Sequence, residues 1–455
     1  MTASEILART EALCPVCLKR LPASLVAEAG VVRLVRDCPD HGRSTAVVWR
    51  GGSGGPEFSA WQREARPLPP ASPRPGEGLG CPLDCGLCPE HGQRTCTVLV
   101  EVTERCRLAC PVCFASAGEK PPPDPTFEEL GRRFDAAYAA AGPVILQLSG
   151  GEPCERPDLP ELVARARSAG FPYVQLNTNG LALAADPAYA VRLAKAGLSW
   201  VFLQFDGVSD AVYRTIRGRP LLSQKLVAVE SAAAANLGVV LVATVVPGVN
   251  DRELGALADL ASALTPAVRG LHFQPVSYFG RYPHPTPNGP GDADRLTLPE
   301  VMAGLEAQTG GRLKAADLHP PGCEHPRCSF SGHFLVDEQG RFTPLARAGC
   351  CGPDPALIPG EGARLSPLVV SRRWSAAPQA GDAAAPEGSL DAFIAAARRR
   401  SLSVSAMAFQ DAWTLDIARL KRCCVHVAAP GGRLIPFCAW NLTASDGRPA
   451  HRGRP

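Results

Sequence analysis

At 455 residues, with 45% hydrophobic and 20% charged side chains, the chain is long enough for two or three domains with buried cores. A formal charge of +3, with acids and bases interspersed and no long basic block, gives no reason to expect a nucleic acid partner. Met1 to Leu13 mixes Glu5, Arg9 and Glu11 among its apolar residues, so no secretory leader is expected. The longest nearly unbroken apolar run, Leu237 to Val246, is far short of the roughly 20 residues a membrane span needs.

Eighteen cysteines in such a chain point to metal ligation in a reducing, cytoplasmic setting. They come in close groups. The first is Cys14-x-x-Cys17, followed by Cys38-Pro39-Asp40-His41, with the strand-like run Val31 to Val35 between them. Two turns with paired soft ligands suit a tetrahedral zinc ribbon or a rubredoxin-like mononuclear iron site, because the metal replaces a core too small to form alone. Unliganded cysteines in a small hairpin are the alternative. Proline and glycine, 45 and 44 residues, concentrate in loop-like runs at 51–56, 67–80, 283–291 and 376–388.

Next come Cys81, Cys85 and Cys88, with Cys96 downstream. The spacing suits an iron-sulfur cluster, with Cys96 expected as its fourth ligand and His91 as the substitute. From 97 to about 275 the pattern alternates strand and helix, as in a parallel βα array. The expected strands are 97–102, 143–148, 173–177, 200–205, 239–246 and 270–274. Helices are expected at about 158–169, 186–196, 221–236 and 251–264. Thr126-Phe127-Glu128-Glu129 reads as a capping box, and Phe127, Leu130, Phe134 and Tyr138 fall on one helical face as core residues. The fold class expected is α/β, a partial or full (β/α) barrel.

In such a barrel the loops after the strands build the active site. The first strand leads to Cys106, Cys110 and Cys113, whose spacing holds three corners of a cubane cluster and leaves one iron without a protein ligand. The second leads to Ser149-Gly150-Gly151-Glu152-Pro153, where two glycines allow a close backbone approach. The third leads to Asn177-Thr178-Asn179-Gly180 and the fourth to Gln204-Phe205-Asp206-Gly207. Thr178, Asn179 and Asp206 offer polar groups for ribose hydroxyls or substrate. Cys154 reads as a buried thiol.

This order of motifs strongly resembles the radical S-adenosylmethionine (SAM) superfamily. The resemblance implies that Cys106, Cys110 and Cys113 ligate a [4Fe-4S] cluster whose open iron takes SAM. One-electron reduction then cleaves SAM to methionine and a 5'-deoxyadenosyl radical. By the same resemblance Gly150, Gly151 and Glu152 hold the methionyl end, while Val112 and Phe114 line the adenine. The N-terminal knuckle, the segment at 81–88 and the tail 405–442 look like the tetraether lipid synthase-like branch, whose relatives are also labelled 7,8-dihydro-6-hydroxymethylpterin methyltransferases. Arg107 departs from that branch, which usually has Asn there.

Cys323, Cys328, Cys423 and Cys438 are expected to close around a further auxiliary cluster, while Cys350, Cys351 and Cys424 have no assignment. The division expected is 1–50 metal knuckle, 51–96 linker and auxiliary segment, 97–310 radical SAM core, and 311–455 C-terminal auxiliary-cluster domain. The function implied is carbon–carbon bond formation at unactivated carbon, with lipid chains as substrate. Methyl transfer to a pterin is the alternative, and a non-catalytic zinc scaffold is the alternative of another class. The partners implied are a small-molecule or lipid substrate and a reductant such as ferredoxin or flavodoxin, with peripheral membrane association only for a lipid substrate.

Overall fold

The computed structural model describes residues 4–52, 54–61, 68–70, 73, 78–118, 121–282, 289–345, 361–377 and 389–452. Cys350 and Cys351 lie outside the described residues, as do most of the proline- and glycine-rich runs.

Four strands, β1 (Glu5–Leu13), β2 (Arg20–Glu28), β3 (Val31–Cys38) and β4 (Gly42–Arg50), pair in sequence order as an antiparallel sheet. Strand alternation turns Leu25, Val32, Leu34 and Trp49 into its buried face. Because β1 and β3 run the same way, the turns that follow them lie at one end of the sheet. That brings Cys14 and Cys17 to Cys38 and His41. The sheet is fastened to the rest of the chain by polar contacts: Thr10 Oγ1 donates to Asp416 at 2.6 Å, and Arg50 pairs with Glu300 at 3.0 Å.

The second sheet begins with β5 (Thr97–Thr103), α1 (Phe127–Ala141), β6 (Ile145–Gly150), α2 (Leu159–Ser168) and β7 (Tyr173–Thr178). It continues through α3 (Leu181–Ala185), α4 (Pro187–Lys195), β8 (Trp200–Gln204), α5 (Asp210–Arg217), α6 (Leu222–Ala234) and β9 (Gly238–Val245). Then come α7 (Leu254–Ala263), β10 (Val268–Pro275), α8 (Leu298–Gln308), β11 (Ser329–Val336), β12 (Phe342–Pro344), α9 (Glu361–Trp374) and α10 (Leu390–Arg399). The chain closes with β13 (Ser401–Met407), α11 (Ile417–Leu420), β14 (Val425–Ala428), β15 (Leu434–Pro436) and α12 (Phe437–Trp440).

Strands β5 to β10 lie side by side in sequence order and all parallel. This is the expected βα array, and it is built from strands apolar on both faces: Val239, Val240, Leu241, Ala243 and Val245 of β9 are all fully buried. Helix α1 starts at the expected capping box, with Thr126 Oγ1 accepting from Glu129 N at 3.2 Å and Glu129 Oε2 accepting from Thr126 N at 2.7 Å. Its Leu130 and Phe134 are fully buried, and Tyr138 meets Phe171 edge-on.

The boundary expected near 310 does not separate two sheets. β13 pairs in parallel with β10, and β14 pairs in parallel with β5, so segments far along the chain flank both sides of the array. The physical reason is that β5 and β10 would otherwise present unpaired backbone N–H and C=O groups.

Candidate active site

The carboxyl ends of β5 to β10 open into a cavity of about 880 Å³. Cys106, Cys110 and Cys113 line it on the loop after β5, together with Val112 and Phe114. Burial pushes the Cys106 thiol up to about 12 and raises that of Cys110, so these sulfurs are poor thiolates unless a metal takes the place of the proton. Arg281 holds the loop in place. Its backbone exchanges two hydrogen bonds with Cys113, both 2.8 Å, and its side chain donates to Cys110 O at 2.8 Å and to Ala117 O at 3.0 Å. The donor set and its opening onto the cavity fit a cluster with one iron left free. Arg107 points away, 84% exposed in its side chain and paired with Glu155.

The glycines of Gly-Gly-Glu-Pro answer a crowding within the chain itself. Gly150 has φ of +123°, and a Cβ there would lie 2.2 Å from Thr103 O; one on Gly151 would lie 2.3 Å from Arg105 O. Their absence lets Gly151 N donate to Thr103 O at 2.7 Å and Glu152 N to Arg105 O at 2.8 Å, which seats the end of β6 against the start of the cysteine loop. Gly150→Ala is therefore expected to cost about 3 kcal/mol or more and to unseat the loop. Chemical unfolding and the iron content after anaerobic reconstitution check this.

Glu152 is 3% exposed and bridges two loops: Oε1 accepts from Thr178 Oγ1 at 2.7 Å and Cys154 N at 3.0 Å, and Oε2 accepts from Asn179 N at 2.6 Å. Burial raises its pKa, against the pull of these donors. Thr178 and Asn179 both line the cavity. Cys154 packs against the core, with its sulfur 3.5 Å from Thr178 Oγ1.

Asp206 requires a correction. It is fully buried, and its carboxylate accepts from Arg217 Nε at 2.7 Å, from an Arg217 terminal nitrogen at 2.8 Å and from Thr244 N at 3.1 Å. With its oxygens so occupied it orients Arg217, and it is Arg217 that lines the cavity. Burial opposes the guanidinium charge, but Asp206 outweighs burial and raises its pKa. Arg217 also donates to Val112 O at 3.0 Å, tying β8 and α5 to the cysteine loop. Sequence reading missed Arg217 because the pairing depends on how α5 folds back over β8.

Lys225 on α6 was also missed. It is fully buried, donating to Asn179 O at 2.5 Å and Gln204 Oε1 at 2.7 Å, and burial pushes its pKa down to about 7. An unfolded lysine keeps its proton to about 10.4. Between these values the unfolded chain binds more protons than the folded one, so stability rises with pH across that window. Relative to Lys225→Met, the parent chain is expected to gain about 2 kcal/mol between pH 7 and pH 9, read from denaturant midpoints.

The other cysteines are regrouped. Cys14, Cys17, Cys38 and His41 converge as expected, with their ligand atoms all within 4.8 Å of one another. His41 pulls the Cys38 thiol down to about 6. The neighbouring Cys81 thiol and burial push the Cys85 thiol well up. Cys96 does not join them, because β5 carries it to Cys323 and Cys424, where the Cys96–Cys424 and Cys323–Cys424 sulfur separations are 3.1 and 3.5 Å. Cys323 thus gathers with Cys96 and Cys424, a grouping that leaves out Cys328, Cys423 and Cys438. His91 is turned to Cys423 O, 2.8 Å, and His426 Nε2, 3.2 Å.

A parallel βα array that gathers three thiols and a buried guanidinium at its strand ends is the scaffold of a SAM-cleaving iron-sulfur enzyme. A profile described as the Radical SAM superfamily matches residues 100–261, and one described as the HMPTM N-terminal zinc ribbon domain matches residues 6–50. A 7,8-dihydro-6-hydroxymethylpterin dimethyltransferase of Methanocaldococcus jannaschii is 33% identical over 483 residues, covering 95% of this chain and 93% of that protein. The chain belongs to the radical SAM superfamily and, over nearly its whole length, to the family of that enzyme.

A GTP 3',8-cyclase of Paenarthrobacter nicotinovorans is 30% identical over 41% of this chain and 52% of its own length. The solved FeFe-hydrogenase maturase of Carboxydothermus hydrogenoformans overlaps with a TM-score of 0.38 at 16% identity, over 49% of this chain and 53% of its own. The protein is an enzyme whose superfamily uses SAM with a [4Fe-4S] cluster, a small-molecule substrate and a reductant. No helix among the described residues is long and apolar enough to cross a membrane.

Proposed function

We propose that the chain is a radical SAM methyltransferase acting on a pterin or a closely similar heterocycle. The observation that carries this reading is the similarity to the M. jannaschii dimethyltransferase across 95% of the chain. The cavity lining agrees with it. Gln147 and Gln274 face the cavity with side-chain amides that have no hydrogen-bond partner among the described residues, while Phe114, Val276, Phe279 and Phe437 supply apolar walls. A flat heterocycle with polar edges meets both. An alkyl chain would leave both amides unpaired, at about 1–3 kcal/mol each, which disfavours lipid-chain coupling as the reaction.

The bound cofactor supplies a carbon radical able to remove hydrogen from an unactivated position. In this reading Cys106, Cys110 and Cys113 hold the cluster, and Glu152 keeps the loops after β6 and β7 in register beside it. Arg217, oriented by Asp206, offers its positive charge to the cofactor carboxylate. Phe114, tilted against Phe437 with centroids 5.8 Å apart, walls off water. An auxiliary cluster on Cys81, Cys85 and Cys88 belongs to the same reading, supported by their spacing of four and then three residues.

The test is anaerobic incubation of the reconstituted chain with SAM, dithionite and 7,8-dihydro-6-hydroxymethylpterin, followed by mass spectrometry of the pterin. A gain of one or two methyl groups is expected. An unaltered pterin alongside accumulating 5'-deoxyadenosine would rule the substrate out while leaving the reaction class standing.

A further inference from the structure

The cavity is bounded by two separate sulfur sites. One is the loop of Cys106, Cys110 and Cys113. The other is formed by Cys96, Cys323 and Cys424, together with Glu324, all four of which line the same cavity. These residues come from the start of β5, the loop before β11 and the turn before β14, so only the folded sheet brings them together.

The spacing within this second group is that of sulfurs around one centre, not of sulfurs spread over a cubane cluster. A single tetrahedral ion with metal–sulfur bonds of about 2.3 Å holds its sulfurs about 3.8 Å apart. A cubane cluster places each thiolate on a different iron and spreads the sulfurs much further. The Cys96–Cys424 and Cys323–Cys424 separations are 3.1 and 3.5 Å, and all three sulfurs lie within 4.8 Å of one another. The zinc ribbon group has the same compactness, with Cys17 and Cys38 sulfurs 3.9 Å apart. The radical SAM triad is not compact in this sense.

A fourth donor is in place. Glu324 Oε2 lies 2.9 Å from Cys323 Sγ and 3.8 Å from Cys424 Sγ, while Oε1 accepts from Ser329 Oγ at 2.5 Å. One carboxylate oxygen is therefore held by the protein and the other is aimed at the sulfurs. Three thiolates and one carboxylate make a tetrahedral donor set for Zn²⁺ or Fe²⁺. Structural sites of this kind are closed by four strong ligands, whereas a hard carboxylate among soft thiolates, facing a cavity, leaves a position that an incoming ligand can take.

We propose that Cys96, Cys323, Cys424 and Glu324 bind a single divalent metal ion, with Glu324 as the exchangeable ligand on the cavity side. The ion sits in the wall of the substrate cavity, where a nitrogen or oxygen donor of a bound substrate reaches it by displacing the carboxylate. The proposal does not depend on which substrate the enzyme takes. It also gives Cys424 a role.

The test uses the full chain purified anaerobically, with zinc, iron and inorganic sulfide counted for the parent and for the Cys96→Ala/Cys424→Ala variant. The expected result is one metal ion fewer per chain with sulfide unchanged. Loss of sulfide together with several irons would show a cluster and overturn the proposal. So would an unchanged metal count, or a Cys96–Cys424 disulfide found by alkylation and mass spectrometry in the parent chain.

Glu324→Gln carries the test should the double variant fail to fold. Cobalt-loaded parent and Glu324→Gln chains are expected to share thiolate-to-cobalt absorption and to differ in their ligand-field bands. Imidazole, added as a probe, is expected to shift the parent bands. Identical bands in the two chains, or no response to imidazole, would remove Glu324 from the site.

Discussion

Replacing Cys110 by alanine is expected to reduce 5'-deoxyadenosine formation to the uncatalysed background while leaving the fold in place. Cys110 is one of three thiols on a loop whose remaining fastenings are backbone contacts: Cys113 to Arg281, and Arg281 to the Cys110 carbonyl, which alanine also possesses. The fold therefore loses one buried sulfur, 7% exposed, and little else. The cluster loses a corner, and with two thiolates left it has no stable seat. Iron and sulfide analysis should show about four irons fewer per chain, with an unchanged far-ultraviolet circular dichroism spectrum. Persistent SAM cleavage by the variant would remove the triad from the centre of the mechanism.

The second large effect is expected at Asp206. Its carboxylate neutralises Arg217 by a two-pronged contact in a fully buried position. Asp206→Ala leaves the guanidinium charged and buried, with the neutral Val112 O and Thr244 Oγ1 among its remaining partners. Breaking such a pair from one side costs about 3–5 kcal/mol, a large fraction of the roughly 5–15 kcal/mol that holds a domain together. Removing both charges in Asp206→Ala/Arg217→Met should recover part of that loss. The single variant should lower the urea midpoint sharply, and the double variant should sit above it. A single variant within about 0.5 kcal/mol of the parent would show that the pair does not hold this corner. SAM affinity should fall in both variants, since each disturbs Arg217.

Much of the array was legible because its signals are local. Strands buried on both faces read as unbroken apolar runs, so β9 was expected at 239–246 and occurs at Gly238–Val245. The capping box at Thr126 and the stripe through Phe134 likewise need only a dozen residues of context. The pairing of distant segments was not legible. Nothing near Cys96 indicates that its partners are Cys323 and Cys424, because that meeting depends on β14 lying beside β5. The spacing of Cys81, Cys85 and Cys88 drew Cys96 to them by proximity in sequence, and sheet register overruled proximity. Arg217 and Lys225 carry no motif. Their roles follow from burial, which removes water as an alternative partner and makes each contact count.

The flanking of the array by β13 and β14 also sets an order of events. Neither side of the array can be completed until residues 401–407 and 425–428 have been synthesised and delivered to it. The same delivery brings Cys424 to Cys96 and Cys323, cysteines made more than 80 residues earlier. On the proposed assignment, metal insertion at Cys96, Cys323 and Cys424 is therefore a late step in maturation, following closure of the sheet, whereas Cys14, Cys17, Cys38 and His41 sit within the first 41 residues and are all in place while the rest of the chain is still being made.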